Sequence, residues 1–241
     1  MSGKAARNIR PSKDDRRLKK FSIIIPSAGE GSRIKSLGPR SLIQLPNGKT
    51  LLEHQVALLK DTFPLSEFIL VSGFESTKLM NRAPFGTICI ENERYNETNV
   101  LRSIGMGLRA TSNENVIIVY GDLVFNKNVL EFPIDHSCVV YSNEIAQQSD
   151  NEVGCTVNDH ELEHMYYGLP NKWIGMVYLQ GKELKIFKSI AFDKQKEKLY
   201  GWEGINYVME HEGRFGAFCP NGSRSIDIDT SKDLERIRGI I

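Results

Sequence analysis

Short apolar runs alternate along the chain with longer stretches in which large apolar residues recur every three or four positions. The runs Phe21–Ile25, Phe68–Val71, Thr87–Ile90, Val116–Tyr120, Cys138–Tyr141, Gly175–Leu179 and Gly216–Phe218 have the length and composition of strands. A helical period covers Thr50–Lys60, Asn99–Arg109, Gly181–Phe192, Glu203–His211 and Ser231–Arg238. In Thr50-Leu-Leu-Glu53 a threonine precedes a glutamate by three positions, the pattern of a capping box that opens a helix. Alternating strands and helices predict a layered α/β sheet. Ser22-Ile-Ile-Ile25 and Val116-Ile-Ile-Val119 are apolar almost without interruption, which suits strands covered on both faces.

A chain of 241 residues with 40% apolar content can bury a full core and sits at the upper edge of one domain. The net charge of +1 is unevenly spread. Residues 1–20 hold eight Lys/Arg against Asp14 and Asp15, a net +6 that leaves −5 on the other 221. Past Met1, the large apolar residues of that segment are Ile9 and Leu18, too few to order it by burial. Residues 1–20 are therefore expected to be a mobile basic arm and 21–241 the folded domain. No run reaches the roughly 18–20 apolar residues of a membrane span, and the charged start lacks the apolar core of a signal peptide. The expectation is a cytoplasmic protein without a membrane partner. Cys89, Cys138, Cys155 and Cys219 are widely spaced and lack metal-ligand spacing, so they read as reduced thiols.

The chemistry concentrates where the first strand ends, in Pro26-Ser-Ala-Gly-Glu-Gly-Ser-Arg33. A dinucleotide fingerprint needs a third glycine and an acid closing the next strand, and the chain has neither: Glu53 falls within a predicted helix. A loop that wraps a triphosphate needs flexible backbone with inward N–H groups and a fixed cation. Gly29, Gly31, Ser32 and Arg33 supply that set, and the small Ser27 and Ala28 let a base approach the backbone.

This loop, followed by Gly38-Pro-Arg-Ser-Leu42 and Gly48-Lys-Thr-Leu-Leu-Glu-His54, resembles the nucleotidyltransferases that make nucleotide-sugars and related compounds. Val71-Ser-Gly-Phe74 is similar to the family's turn beside the base, and the segment Glu91 to Ser103 to that of its phosphocholine cytidylyltransferase branch. Tyr120-Gly-Asp122-Leu-Val-Phe125 resembles its G-D-x-x-F, and Ser225-Ile-Asp227-Ile-Asp229-Thr its closing acidic motif. The resemblance runs in order over residues 21–238. It implies a single-domain, Rossmann-like, three-layer αβα sandwich with a mixed, mostly parallel central sheet. It also implies Mg²⁺-dependent transfer of a nucleoside monophosphate from a triphosphate, CTP favoured, to a phosphorylated small molecule. Nucleotide contacts then fall on Ser27, Ala28, Gly29, Gly31, Ser32, Gly73, Asn99 and Ser103.

Such a reaction crowds negative charge around the α-phosphorus, which cations and a metal held by carboxylates must neutralise. Asp122, where a strand ends, and Asp227 and Asp229, alternating with isoleucines, are the expected metal ligands; Asp229 could instead cap the next helix. Arg33 and Arg40 are the expected catalytic cations. Arg40 stands where the resembled signature has lysine, with Lys35 and Lys49 as alternative phosphate cations.

The acceptor is less legible. Tyr166, Tyr167, Trp173, Tyr178, Tyr200 and Trp202 could cage a choline-like cation or belong to the core, and Lys172 could receive an acceptor phosphate. A sugar phosphate and phosphocholine both remain open. His136, His160 and His164 lie in polar, loop-like surroundings. The partners are a triphosphate and a small acceptor rather than nucleic acid, with a homodimer left open. Two other classes fit parts of the pattern. A glycosyltransferase would use Asp227-Ile-Asp229 as a metal-binding D-x-D, although that motif normally lies at mid-chain. A non-catalytic nucleotide-binding homologue would accommodate Arg40.

Overall fold

The computed structural model describes residues 13–31, 38–143 and 152–241. In chain order the elements are α1 (Lys13–Leu18), β1 (Ser22–Ser27), α2 (Leu51–Thr62), β2 (Glu67–Ser72), α3 (Ser76–Met80), β3 (Thr87–Glu91), α4 (Val100–Arg109), β4 (Asn115–Val119) and β5 (Leu123–Phe125). There follow β6 (Cys138–Ser142), β7 (Val153–Asn158), β8 (Glu161–Tyr167), β9 (Asn171–Gln180), α5 (Gly181–Ala191), α6 (Gly201–Glu210), β10 (Gly216–Phe218), β11 (Ser225–Asp227) and α7 (Ser231–Arg236).

The main sheet has the order β3-β2-β1-β4-β9-β6-β10-β8-β7. Parallel pairing joins β1 to β2 and β4, β2 to β3, and β6 to β10. β9 is antiparallel to β4 and β6, and β8 to β10 and β7. β8 and β9 thus run against the other seven strands, and the sheet is mixed but mostly parallel in direction.

The uninterrupted apolar strands are explained by two cores. Ile24, Val116 and Ile118 face a core shared with Leu101 and Ile104 of α4, Phe187 of α5 and Ile205 of α6. Ile23, Ile25, Ile117 and Val119 face the opposite core, with Leu52, Val56 and Leu59 of α2. Alternate side chains of one strand therefore feed opposite layers, which is the three-layer sandwich. Each fully buried Ile or Leu contributes about 1.5–3 kcal/mol of transfer free energy. The capping box forms as read: Thr50 Oγ1 accepts from the Glu53 amide and the Glu53 carboxylate from the Thr50 amide.

Three differences from the sequence reading have physical causes. The boundary expected at residue 20 lies too late. α1 docks on the body, with Arg16 donating to the carbonyls of Leu130 and Phe132 at 2.7 and 2.6 Å, and Lys19 to that of Ile134 at 2.8 Å. Cations on backbone carbonyls, rather than apolar burial, hold this segment; residues 1–12 lie outside the described residues. Second, the polar stretch around His160 and His164 is a hairpin, β7–β8, with β8 also paired to β10 and β7 also paired to β9. Its outward positions are Glu161, Glu163 and His164, while Leu162 and Met165 turn inward. Third, β5 and β11 form a small antiparallel sheet between distant segments, each three residues long and too short for a periodic signal.

Cys89, Cys138, Cys155 and Cys219 are free thiols, with Cys138 and Cys155 buried. Among the described residues, no helix is long and apolar enough to cross a membrane.

Candidate active site

β1 and β4 lie side by side and parallel, so their C-terminal ends open at one edge of the sheet. Crevices at such an edge bind ligands in open α/β sheets. A cavity of about 280 Å³ sits there, lined by Ser27 at the end of β1, Ala28 and Gly29 after it, Arg40, Asn99 at the N-cap of α4, Ser103 within α4, and Asp122 after β4.

On one side the backbone comes close to the cavity. A Cβ on Gly73 would stand 2.7 Å from the Ala28 carbonyl oxygen and 2.6 Å from Tyr95 Cβ, so only glycine lets these segments meet. The Phe74 amide donates to the Ala28 carbonyl at 2.9 Å, fixing that approach. Buried Asn92 donates to Thr98 Oγ1 and Ser103 Oγ, both at 3.1 Å, tying the segment after β3 to α4. Asn99 caps α4, its side chain accepting from the Val100 amide at 2.8 Å.

On the other side, cations and carboxylates interleave. Arg40 Nη1 lies 2.7 Å from Asp122 Oδ2 and 2.6 Å from Asp229 Oδ1. The stem of Arg40 crosses the loop at Gly31, where a Cβ would meet it at 3.1 Å. Lys172 Nζ, on β9, lies 2.9 Å from Asp227 and 3.2 Å from Glu152. Burial pulls the Lys172 ammonium down, but Asp227 and Glu152 outweigh it and hold its pKa above the ordinary lysine value. Burial pushes the Asp227 carboxyl up to about 6; Lys172 counteracts this, while the charges of Asp122 and Asp229 add to it. Six charged groups from five parts of the chain thus converge. The β5–β11 pairing is what joins them, setting Asp227 opposite Leu123 and bonding the Ile228 amide to the Asp122 carbonyl.

The first helical turn of α7 does not use Asp229 as its cap. Thr230 is the N-cap, and Asp233 Oδ2 accepts from the Asp229 and Thr230 amides and from the Thr230 hydroxyl. The Asp229 carboxylate goes to Arg40 instead.

A family model described as a MobA-like NTP transferase domain matches residues 23–175. The chain belongs to this family. The chain is also 28% identical over 110 residues to the bifunctional protein GlmU of Koribacter versatilis (strain Ellin345), a match covering 44% of this chain and 22% of that protein. The matched segment is thus about a fifth of that relative's length. Among solved structures it is similar to the inositol-1-phosphate CTP transferase of T. maritima, with TM-score 0.74, 17% identity, and coverage of 90% of this chain and 94% of that one. It is equally similar to the CTP:phosphocholine cytidylyltransferase of Streptococcus pneumoniae, with TM-score 0.75, 19% identity, and coverage of 92% and 99%. At such identities the structural likeness concerns the fold.

The fold brings Ser27, Ala28, Gly29, Asn99, Ser103, Arg40 and Asp122 to one cavity, with Gly31 beside Arg40 and Gly73 beside Ala28. Asp227 and Asp229 line an adjoining cavity with Lys172 and Glu152. Ser32, Arg33 and Lys35 lie outside the described residues. Lys49 is exposed on the turn before α2 and is not among the residues lining either cavity. Of the aromatics, Tyr178 and Trp173 are core. Tyr166, Tyr167 and Tyr200 keep 36–55% of their surface exposed and pack around Trp202, with ring centroids 5.6–6.4 Å from it. Tyr200 also reaches the first cavity.

Gln55 and Ser41 were not singled out from the sequence. Gln55 sits on the inward stripe of α2 among Leu51, Leu52, Val56 and Leu59, and a polar residue at an apolar phase was the available signal. It donates to the carbonyls of Tyr120 and Leu123, which flank Asp122.

Proposed function

We propose that this nucleotidyltransferase moves CMP from CTP to a phosphorylated small molecule, a sugar phosphate or phosphocholine, and releases pyrophosphate with the help of Mg²⁺. The observation that carries the reading is Arg40 gripping two carboxylates, Asp122 and Asp229, at the mouth of a glycine-lined crevice. That arrangement brings one phosphate-seeking cation and two metal-seeking anions to the same point.

Among the described residues, no three or more His, Cys, Asp or Glu side chains are arranged to hold a metal ion. Mg²⁺ commonly needs only one or two carboxylates, the rest of its shell coming from substrate phosphates and water. Two carboxylates converging on one cationic nitrogen have the hard oxygen chemistry such an ion takes, so the residues fit. Asp122 with Asp229 or Asp227 would hold it, and when bound it would withdraw charge from the phosphate oxygens.

The remaining work falls to the chain. Backbone at Ala28, Gly29 and Gly73 offers a flat, close surface for a base. Arg40, once turned from the carboxylates, has a planar fork suited to the triphosphate. Lys172, nearly buried and held charged beside Asp227, would be the cation for an acceptor phosphate. Holding the two reactants in line supplies most of what this chemistry asks of a protein. The exposed aromatic wall of Tyr166, Tyr167 and Tyr200 suits an acceptor that presents a cation or a sugar face.

The test is pyrophosphate release from CTP, UTP, GTP, ATP and dTTP with Mg²⁺, each against glucose 1-phosphate, inositol 1-phosphate and phosphocholine. Release with CTP well above the others supports the reading. Release with a purine triphosphate alone overturns the CTP assignment, and release of nucleoside diphosphate from a nucleotide-sugar would overturn the reaction class.

A further inference from the structure

The turn carrying Asp122 is fixed at successive carbonyls. Tyr120 O accepts from the Leu123 amide at 3.2 Å and from Gln55 at 2.8 Å, and Asp122 O from the Ile228 amide at 3.0 Å. Gly121 O accepts from the hydroxyl of Ser41 at 2.8 Å. Ser41 is 2% exposed, and its Oγ also lies 2.9 Å from Ser27 Oγ, at the end of β1. It is the residue after Arg40, in the 3-10 turn Arg40–Leu42. The three segments approach one another closely. A Cβ on Gly121 would stand 1.9 Å from Ser27 Oγ and 2.9 Å from Ser41 Oγ, and the Gly121 amide donates to the Pro26 carbonyl at 3.2 Å.

We propose that Ser41 is a positioning residue for nucleotidyl transfer. One buried hydroxyl sets the spacing between the nucleotide loop at Ser27, the carboxylate of Asp122 and the cation of Arg40. The inference rests on reading Asp122 and Arg40 as site residues. Its physical basis is that in-line transfer tolerates little displacement, and a misplacement of about 1 Å can cost about a hundredfold in rate. A hydroxyl bonded to two partners at once fixes a distance that packing alone leaves soft, because an alanine there keeps the shape and releases both.

The experiment compares Ser41→Ala with Ser137→Ala. Ser137 is equally buried and hydrogen-bonded, to Gln180, but sits before β6 at the opposite edge of the sheet. Two measurements are made on each full-length variant, well below its melting temperature: turnover with the best triphosphate and acceptor, and hydrogen exchange at the Gly121 and Leu123 amides. Ser41→Ala should lower kcat by about tenfold to a hundredfold, change KM for the acceptor little, and speed exchange at those two amides. Ser137→Ala should leave kcat and those amides unchanged. Unaltered exchange at Gly121 and Leu123 in Ser41→Ala overturns the inference, as does a kcat loss matched by Ser137→Ala. If wild-type protein releases no pyrophosphate from any triphosphate, the functional reading fails, and the exchange measurement still decides whether Ser41 holds the turn.

Discussion

The guanidinium of Arg40 bridges two carboxylates more than a hundred residues apart in sequence, Asp122 at 2.7 Å and Asp229 at 2.6 Å. A cation so placed both relieves the repulsion between the acids and waits beside the crevice where phosphates would arrive. Arg40→Ala should therefore lower kcat by about a hundredfold or more, the scale seen when a preorganised charged donor is lost. Arg40→Lys keeps the charge but not the two-pronged fork, and should retain more turnover than alanine. Steady-state pyrophosphate release checks both. Full activity in Arg40→Ala would place the phosphate cation elsewhere, at Arg33 or Lys35.

Asp122→Asn should abolish turnover while leaving the melting temperature close to that of wild type, since its side chain contributes charge rather than core. Calorimetry alongside the rate assay separates the two effects. Wild-type turnover in this variant would remove Asp122 from the site.

Asp227 links stability to pH. Its folded pKa, near 6, stands above the ordinary 3.8, so the proton binds more tightly in the folded state. The sign follows: the stability this group contributes is fully present below pH 3.8 and is lost as pH rises through about 6. In metal-free buffer, Asp227→Asn should therefore gain in stability relative to wild type as pH is raised across that window, although it loses turnover. Denaturant melts at several pH values read this directly, and a wild-type-to-variant difference that stays flat would contradict it.

Arg16→Ala should cost about 2–3 kcal/mol, because two carbonyls, Leu130 O and Phe132 O, lose a charged donor. Turnover below the melting transition should not change. Deleting residues 1–20 should carry at least the same cost, and a deletion that leaves the melting temperature unchanged would show that α1 does not stabilise the body.

Gly73→Ala should weaken nucleotide binding and cost about 1–3 kcal/mol of stability, since its methyl must push Ala28 or Tyr95 aside. The readout is the thermal shift produced by CTP with Mg²⁺, compared with wild type. An undiminished shift would mean that the base does not lie against this turn.

Much of the architecture was legible because it is written in local pattern. The double-sided apolar runs of β1 and β4 required helices on both faces, and Thr50 and Glu53 fixed the start of α2. Gly29, Gly31 and the carboxylate after β4 marked the crevice edge, since a strand that ends in glycine and acid ends in solvent rather than core. What sequence could not supply was every relationship made across distance. The polar hairpin β7–β8 looked like loop because most of the side chains on β8 are exposed, and β5 and β11 are too short to carry a period. α1 looked unattached because its anchors are backbone carbonyls, which have no sequence signature. The pairing of Arg40 with Asp122 and Asp229, and of Lys172 with Asp227, was decided only by the tertiary fold. A charge's partner is chosen by proximity in space, and here that proximity is created by a three-residue strand pair that brings the end of the chain back to its middle.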